Sequence, residues 1–165
     1  MKAIFNRAMA VFALVFGVVP ITAWAADPTV GTWRLLSWTM EETESKAVHK
    51  PFGDHPNGMR TITPDGWLFI VITDPSRKPP ADPKATDAEA AQLYRTMTAS
   101  VSRWKTEGDK WFITPEIPSN PAFFGKTATG TFEIKGDRLE AKEDPYVSGI
   151  LGKQVVATYV WERVK

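Results

Sequence analysis

Apolar and polar positions alternate over short stretches through most of the chain. Glycine and proline cut the stretches into pieces mostly under about twelve residues. The spacing predicts strands at Gly31–Met40, Gly58–Thr63, Gly66–Thr73, Ser100–Thr106, Lys110–Glu116, Lys126–Lys135, Arg138–Lys142 and Lys153–Arg163. "TPDG" (Thr63–Gly66) places proline where a turn wants a fixed φ and glycine where φ must be positive. "EGDK" (Glu107–Lys110) and "KGDR" (Lys135–Arg138) are tight polar links between extended runs. Such links make consecutive strands antiparallel neighbours.

The period changes once. Thr86 followed three residues later by Glu89 is a capping box. Ala90, Leu93, Tyr94, Met97 and Val101 then recur at helical spacing, which predicts a helix over Thr86–Val101. Its apolar face is expected to pack on the sheet, with a lid over a cavity mouth as the alternative. The proline-rich run Thr73–Lys84 before it reads as a surface loop bordering a binding site. About eight strands in hairpin order with one helix predict an all-β domain. The favoured architecture is an antiparallel eight-stranded up-and-down barrel, with a sandwich as the alternative. Closure removes exposed sheet edges.

The first residues follow another pattern. Lys2 and Arg7 precede the apolar run "AMAVFALVFGVV", then Pro20 and "AWA" at Ala23–Ala25. This is the layout of a signal peptide cut after Ala25, too short and wrongly flanked for a membrane span. The expected mature domain is Ala26–Lys165, with a periplasmic or secreted location and no stable membrane span after cleavage. The chain has 20 Lys+Arg, 19 Asp+Glu and no cysteine. Disulfides, thiol catalysis and cysteine-bound metals are therefore excluded. The balanced charge, without a basic run, argues against a nucleic-acid partner.

Gly31-x-Trp33 at the start of the first strand resembles the lipocalin signature. In that superfamily the tryptophan lies inside the barrel near its closed end, with an arginine from the last strand across the indole. Here Arg163 in "VWERV" matches that arginine, and Val155, Ala157, Tyr159, Trp161 and Arg163 share one strand face. Further along come "PFGDHPNGMRTITPDGWLF", an alanine-rich helix, "GDRLEA" and "ATYVWERV". The ordered set resembles the bacterial lipocalin-like domain proteins over nearly all of Ala26–Lys165. The resemblance implies a lipocalin-like barrel whose base is closed by Gly31, Trp33 and Arg163. The wider superfamily includes binders of small apolar molecules and a few barrels that isomerise or cyclise a substrate. One departure stands out: relatives carry adjacent histidines where this chain has Ile113 and Thr114, while Glu116 remains.

Conventional catalytic motifs are missing. No glycine-flanked serine elbow and no phosphate-binding glycine loop occurs. His49 and His55 sit in a Pro/Gly-rich stretch and read as solvated, so no metal site and no cofactor are expected. Glu116 and Glu133 read as outward strand positions, with an inward, pKa-raised carboxyl as the alternative. Aromatic residues are the stronger signal. The expected ligand-lining set is Trp67, Phe69, Trp104, Phe124 and Tyr159. Arg60 is either an inward anchor for a ligand carboxylate or a surface charge. Strict alternation from an inward Trp33 turns Leu36, Trp38 and Met40 outward, a stripe that would suit a homodimer contact. The function this supports is an exported barrel binding a small apolar ligand. The alternatives are a barrel enzyme acting on an apolar substrate and a partner-binding domain.

Overall fold

A computed structural model describes residues 27–165; the expected signal peptide lies outside the described residues. The elements run β1 (Gly31–Glu42), β2 (Val48–His49), β3 (Asn57–Ile62), β4 (Trp67–Thr73), α1 (Asp87–Arg95), β5 (Met97–Glu107), β6 (Lys110–Pro118), a 3-10 turn (Pro121–Phe123), β7 (Ala128–Lys135), β8 (Arg138–Glu143), β9 (Tyr146–Val147) and β10 (Gln154–Arg163). Eight strands pair in the order β1-β3-β4-β5-β6-β7-β8-β10, and β10 pairs back with β1 to close the barrel. Every pairing is antiparallel. The two-residue strands β2 and β9 add to β1 and β10. The expected barrel is the observed one.

The predicted turns hold for local reasons. Gly66, Gly108 and Gly136 all adopt positive φ, where a side chain would be strained. Gly66 also donates its N–H to Thr63 O at 3.0 Å. Gly130 is needed for a different reason: a Cβ there would meet the Lys142 carbonyl at 2.1 Å and the Trp111 indole at 2.5 Å.

Period-two alternation carries through most strands. In β10, Val155, Ala157 and Trp161 are buried, and in β8 Leu139 and Ala141 are. Alternation breaks in β1. Leu35 pairs with Trp161 and Ser37 with Val160, so Leu36 is an extra, bulged residue. Parity flips there. Trp33 and Leu35 face inward below the bulge, Trp38 and Met40 face inward above it, and of the expected stripe only Leu36 is exposed. The expected outward stripe of Leu36, Trp38 and Met40 is therefore corrected. One inserted residue turns the two largest side chains into the core, where each contributes roughly 2–3 kcal/mol of burial.

The helix is shorter than its periodicity predicts. Thr86 caps it with the expected box: its side chain accepts from Glu89 N, while Glu89 accepts from Thr86 N. It ends at Arg95, where Thr96 turns its hydroxyl back onto Gln92 O at 2.7 Å. Met97 to Val101 then belong to β5, with Met97 opposite Thr73 and Val101 opposite Phe69. Cross-strand pairing with β4 overrides the helical spacing of these two residues. The helix buries none of its side chains, so it does not pack an apolar face on the sheet. The proline-rich loop braces it: Arg77 donates to Leu93 O and Ala81 N–H donates to Glu89. Among the described residues, no helix is long and apolar enough to cross a membrane.

Candidate ligand-binding site

One end of the barrel is sealed by the segment preceding β1. Trp33 Nε1 donates to Thr29 O at 2.8 Å, and Trp104 Nε1 donates to Thr29 Oγ1 at 3.0 Å. Asp27 ties the segment down by accepting from Thr29 and from Thr106. Arg163 lies across Trp33 with its guanidinium carbon 4.0 Å from the ring centroid, and it donates to Val30 O and Pro28 O. Gly31 has φ of +128°, and a Cβ there would sit 2.9 Å from Arg163 Nη1. These contacts make a plug from a strand start, a strand end and a short lead-in.

Above the plug lies a cavity of about 540 Å³. The volume is in the range of small-molecule sites. Leu68, Ile70 and Ile72 form part of its wall, as do Trp104, Trp111 and Trp161. Tyr94 and Arg95 of α1 reach it, so the helix stands at the cavity mouth. No residue of the proline-rich loop lines it, contrary to expectation; the loop is hydrogen-bonded to α1 instead.

The sequence-predicted lining residues divide. Trp104, Tyr159 and Arg60 are on the cavity wall. Trp67 and Phe69 are not. The run Trp67–Thr73 is apolar on both faces, and the interior takes Leu68, Ile70 and Ile72. Trp67 instead stacks outside on Arg103, with the guanidinium carbon 3.5 Å from its ring centroid, and Phe69 is 46% exposed. Phe124 follows the 3-10 turn and points to solvent, while its neighbour Phe123 touches the cavity.

Arg60 decides the character of the floor. It is 4% exposed and paired across the sheet with Trp33 and Ile70. Its guanidinium carbon lies 4.5 Å from the Trp161 ring centroid, 5.7 Å from Trp104 and 5.9 Å from Trp33. The aromatic faces attract the cation, yet Nε and Nη2 have no hydrogen-bond partner among the described residues. Burial lowers its pKa from the ordinary value and still leaves it charged at neutral pH. Trp38 Nε1 and Trp161 Nε1 are likewise buried without an acceptor. All three side chains line the cavity, and all the unmatched atoms are donors. Tyr159 stacks between Trp38 and Trp161, at 5.6 Å and 6.3 Å between centroids.

A second polar group enters from β8. Glu143 lines the cavity, and Tyr159 Oη donates to its Oε2 at 3.4 Å. Burial pushes the Glu143 carboxyl up to about 7, with a smaller push from neighbouring Asp144. The same surroundings raise the Tyr159 and Tyr146 hydroxyls above their ordinary values. Exposed Arg95 and Lys126 stand at the rim, so the cavity holds three cationic side chains and a single carboxyl. The two carboxylates considered from sequence lie outside: Glu116 pairs with Arg103 and Glu133 with Lys135 on the surface.

His49 is bound rather than freely solvated. Its Nε2 is 2.8 Å from Glu42 Oε1, and Lys153 and Ser45 also donate to that carboxylate. Hydrogen bonds from Lys153, Ser45 and His49 hold Glu42 down to about 2. Among the described residues, no group of three or more acidic or histidine side chains is placed to hold a metal ion.

A family model described as a lipocalin-like domain matches residues 30–164. No curated protein matches the chain.

Proposed function

The chain belongs to the lipocalin-like domain family, and from that premise we propose that its barrel binds a small, largely apolar molecule carrying an oxyanion, with the anion seated on Arg60. The reading includes export of the domain, which the leader-like first residues support.

One observation carries it: a buried guanidinium at the floor of an apolar cavity has donors aimed at no acceptor of the chain. Desolvating a cation without a partner costs several kcal/mol. A ligand carboxylate would recover that cost through charge-assisted hydrogen bonds worth roughly 1.5–3 kcal/mol each. The aromatic and aliphatic wall would hold its apolar body, and the rim cations would draw the anion in. Tryptophan-fluorescence titration with dodecanoate and with dodecanol tests the reading. It expects the carboxylate to bind at least ten-fold tighter. Equal affinity, or no binding of either, would remove it.

A second reading, an enzyme working on the bound molecule, is favoured by Glu143. A carboxyl titrating near neutrality is suited to proton transfer. It expects ligands recovered after incubation to be chemically changed, which mass spectrometry would detect.

A further inference from the structure

The cavity carries polar groups at two heights. The inward residues of β10 and β8 are in register: Trp161 faces Leu139 and Tyr159 faces Ala141. Arg60 lies against Trp161, at the level of the plug. Glu143 lies four residues beyond Leu139 along β8, a rise of roughly 13 Å towards the mouth. Between the two levels the wall is the stacked row of Trp161, Tyr159 and Trp38. Hence a ligand whose anion sits on Arg60 runs along these rings towards Glu143.

We propose that Glu143, with the hydroxyls of Tyr159 and Tyr146, forms an upper polar subsite that hydrogen-bonds a hydroxyl on the distal part of the ligand. The inference rests on the anion-binding reading and makes its ligand class narrower: a hydroxylated apolar carboxylic acid rather than a plain one.

Three features support the subsite. Glu143 has no ion-pair partner among the described residues. Its one side-chain hydrogen bond, from Tyr159, is long at 3.4 Å and leaves the rest of the carboxyl free. Its surroundings favour the neutral acid, which can both donate to and accept from an alcohol. A purely apolar ligand end would leave this half-buried carboxyl with the long Tyr159 bond alone, a cost of roughly 1–3 kcal/mol. Of its two charged neighbours along the chain, Lys142 is exposed and makes no ion pair with it, and Asp144 is engaged with Thr129; the cations that reach the cavity near its mouth, Arg95 and Lys126, are exposed.

The test compares octanoic, dodecanoic and hexadecanoic acids with their ω-hydroxy counterparts, by calorimetry at pH 6. The proteins are the unmodified one, Glu143→Leu, Glu143→Gln and Arg60→Met. At one length or more, the unmodified protein is expected to bind the hydroxy acid at least ten-fold tighter than the plain acid. Glu143→Leu loses that preference while still binding the plain acid, and Glu143→Gln, which keeps a donor and an acceptor, retains most of it. Equal binding of hydroxy and plain acids at every length, or a preference that survives Glu143→Leu, would overturn the upper subsite and leave the Arg60 reading intact. Plain acids that bind no more weakly to Arg60→Met would overturn the anion-binding reading and this inference with it. Circular dichroism of each variant separates lost preference from lost fold. Should Glu143→Leu fail to fold, Glu143→Ala takes its place with the same expected loss.

Discussion

The Arg60 guanidinium packs on the Trp161 indole at 4.5 Å while its Nε and Nη2 find no partner among the described residues. Cation–π contacts of roughly 0.5–2 kcal/mol each offset only part of the desolvation of a buried cation. Arg60→Met is therefore expected to raise the free energy of unfolding by about 1 kcal/mol and to weaken carboxylate binding about 10- to 100-fold. Urea unfolding and calorimetry on the same samples measure both. A variant both less stable and unchanged in affinity would show that the arginine is structural.

Glu143 gives the protein a pH-dependent stability of unusual sign. Its folded-state pKa, about 7, lies above the ordinary value of 4.5. The unfolded chain ionises first, so stability falls as pH rises from about 4.5 through 7 and then levels off. The full difference is about 3 kcal/mol. Glu143→Gln removes this slope, so urea midpoints of the two proteins should agree near pH 4 and diverge by pH 8, the variant being the more stable.

Glu42 works in the opposite direction. Its carboxylate is held down to about 2 by Lys153, Ser45 and His49. Its contribution is fully present above about 4.5 and is lost as pH falls towards 2. Acid titration of the tryptophan fluorescence should show Glu42→Gln with a shallower acid limb than the unmodified protein, and with lower stability at pH 7.

The bulge at Leu36 predicts a contrast between neighbours. Trp38→Ala, which empties a core position, should cost about 3–5 kcal/mol. Leu36→Ala, at an exposed position, should stay within about 0.5 kcal/mol. Chemical denaturation of the two variants checks it. Similar costs for both would mean that parity does not change at Leu36.

Much of the barrel was legible in the sequence because its signals are local. Turn glycines, the capping box at Thr86 and the alternation of Val155, Ala157 and Trp161 all act within a few residues. Gly31, Trp33 and Arg163 were legible as a group through family resemblance. The errors have equally specific causes. The bulged Leu36 leaves no mark in the composition of β1, so strict alternation turned Trp38 and Met40 the wrong way. The run Trp67–Thr73 is apolar on both faces, so only pairing with β3 and β5 shows that Leu68, Ile70 and Ile72 face inward. Glu143 went unseen because the expected strand stopped at Lys142. Extending the alternation of Leu139 and Ala141 by one step would have placed it inside.

An oxyanion seated on Arg60 is read most directly from the carbon-13 resonance of carboxyl-labelled dodecanoate bound to the protein, followed as pH is lowered. A carboxylate paired with a buried guanidinium stays ionised well below the range in which the free acid protonates. The bound resonance is expected to be shifted from that of the free acid, with a depressed titration midpoint that rises to the free value or above it in Arg60→Met, where burial remains and the cation is gone. A bound resonance that titrates as the free acid does, or one indifferent to Arg60→Met, would contradict an oxyanion seated on Arg60.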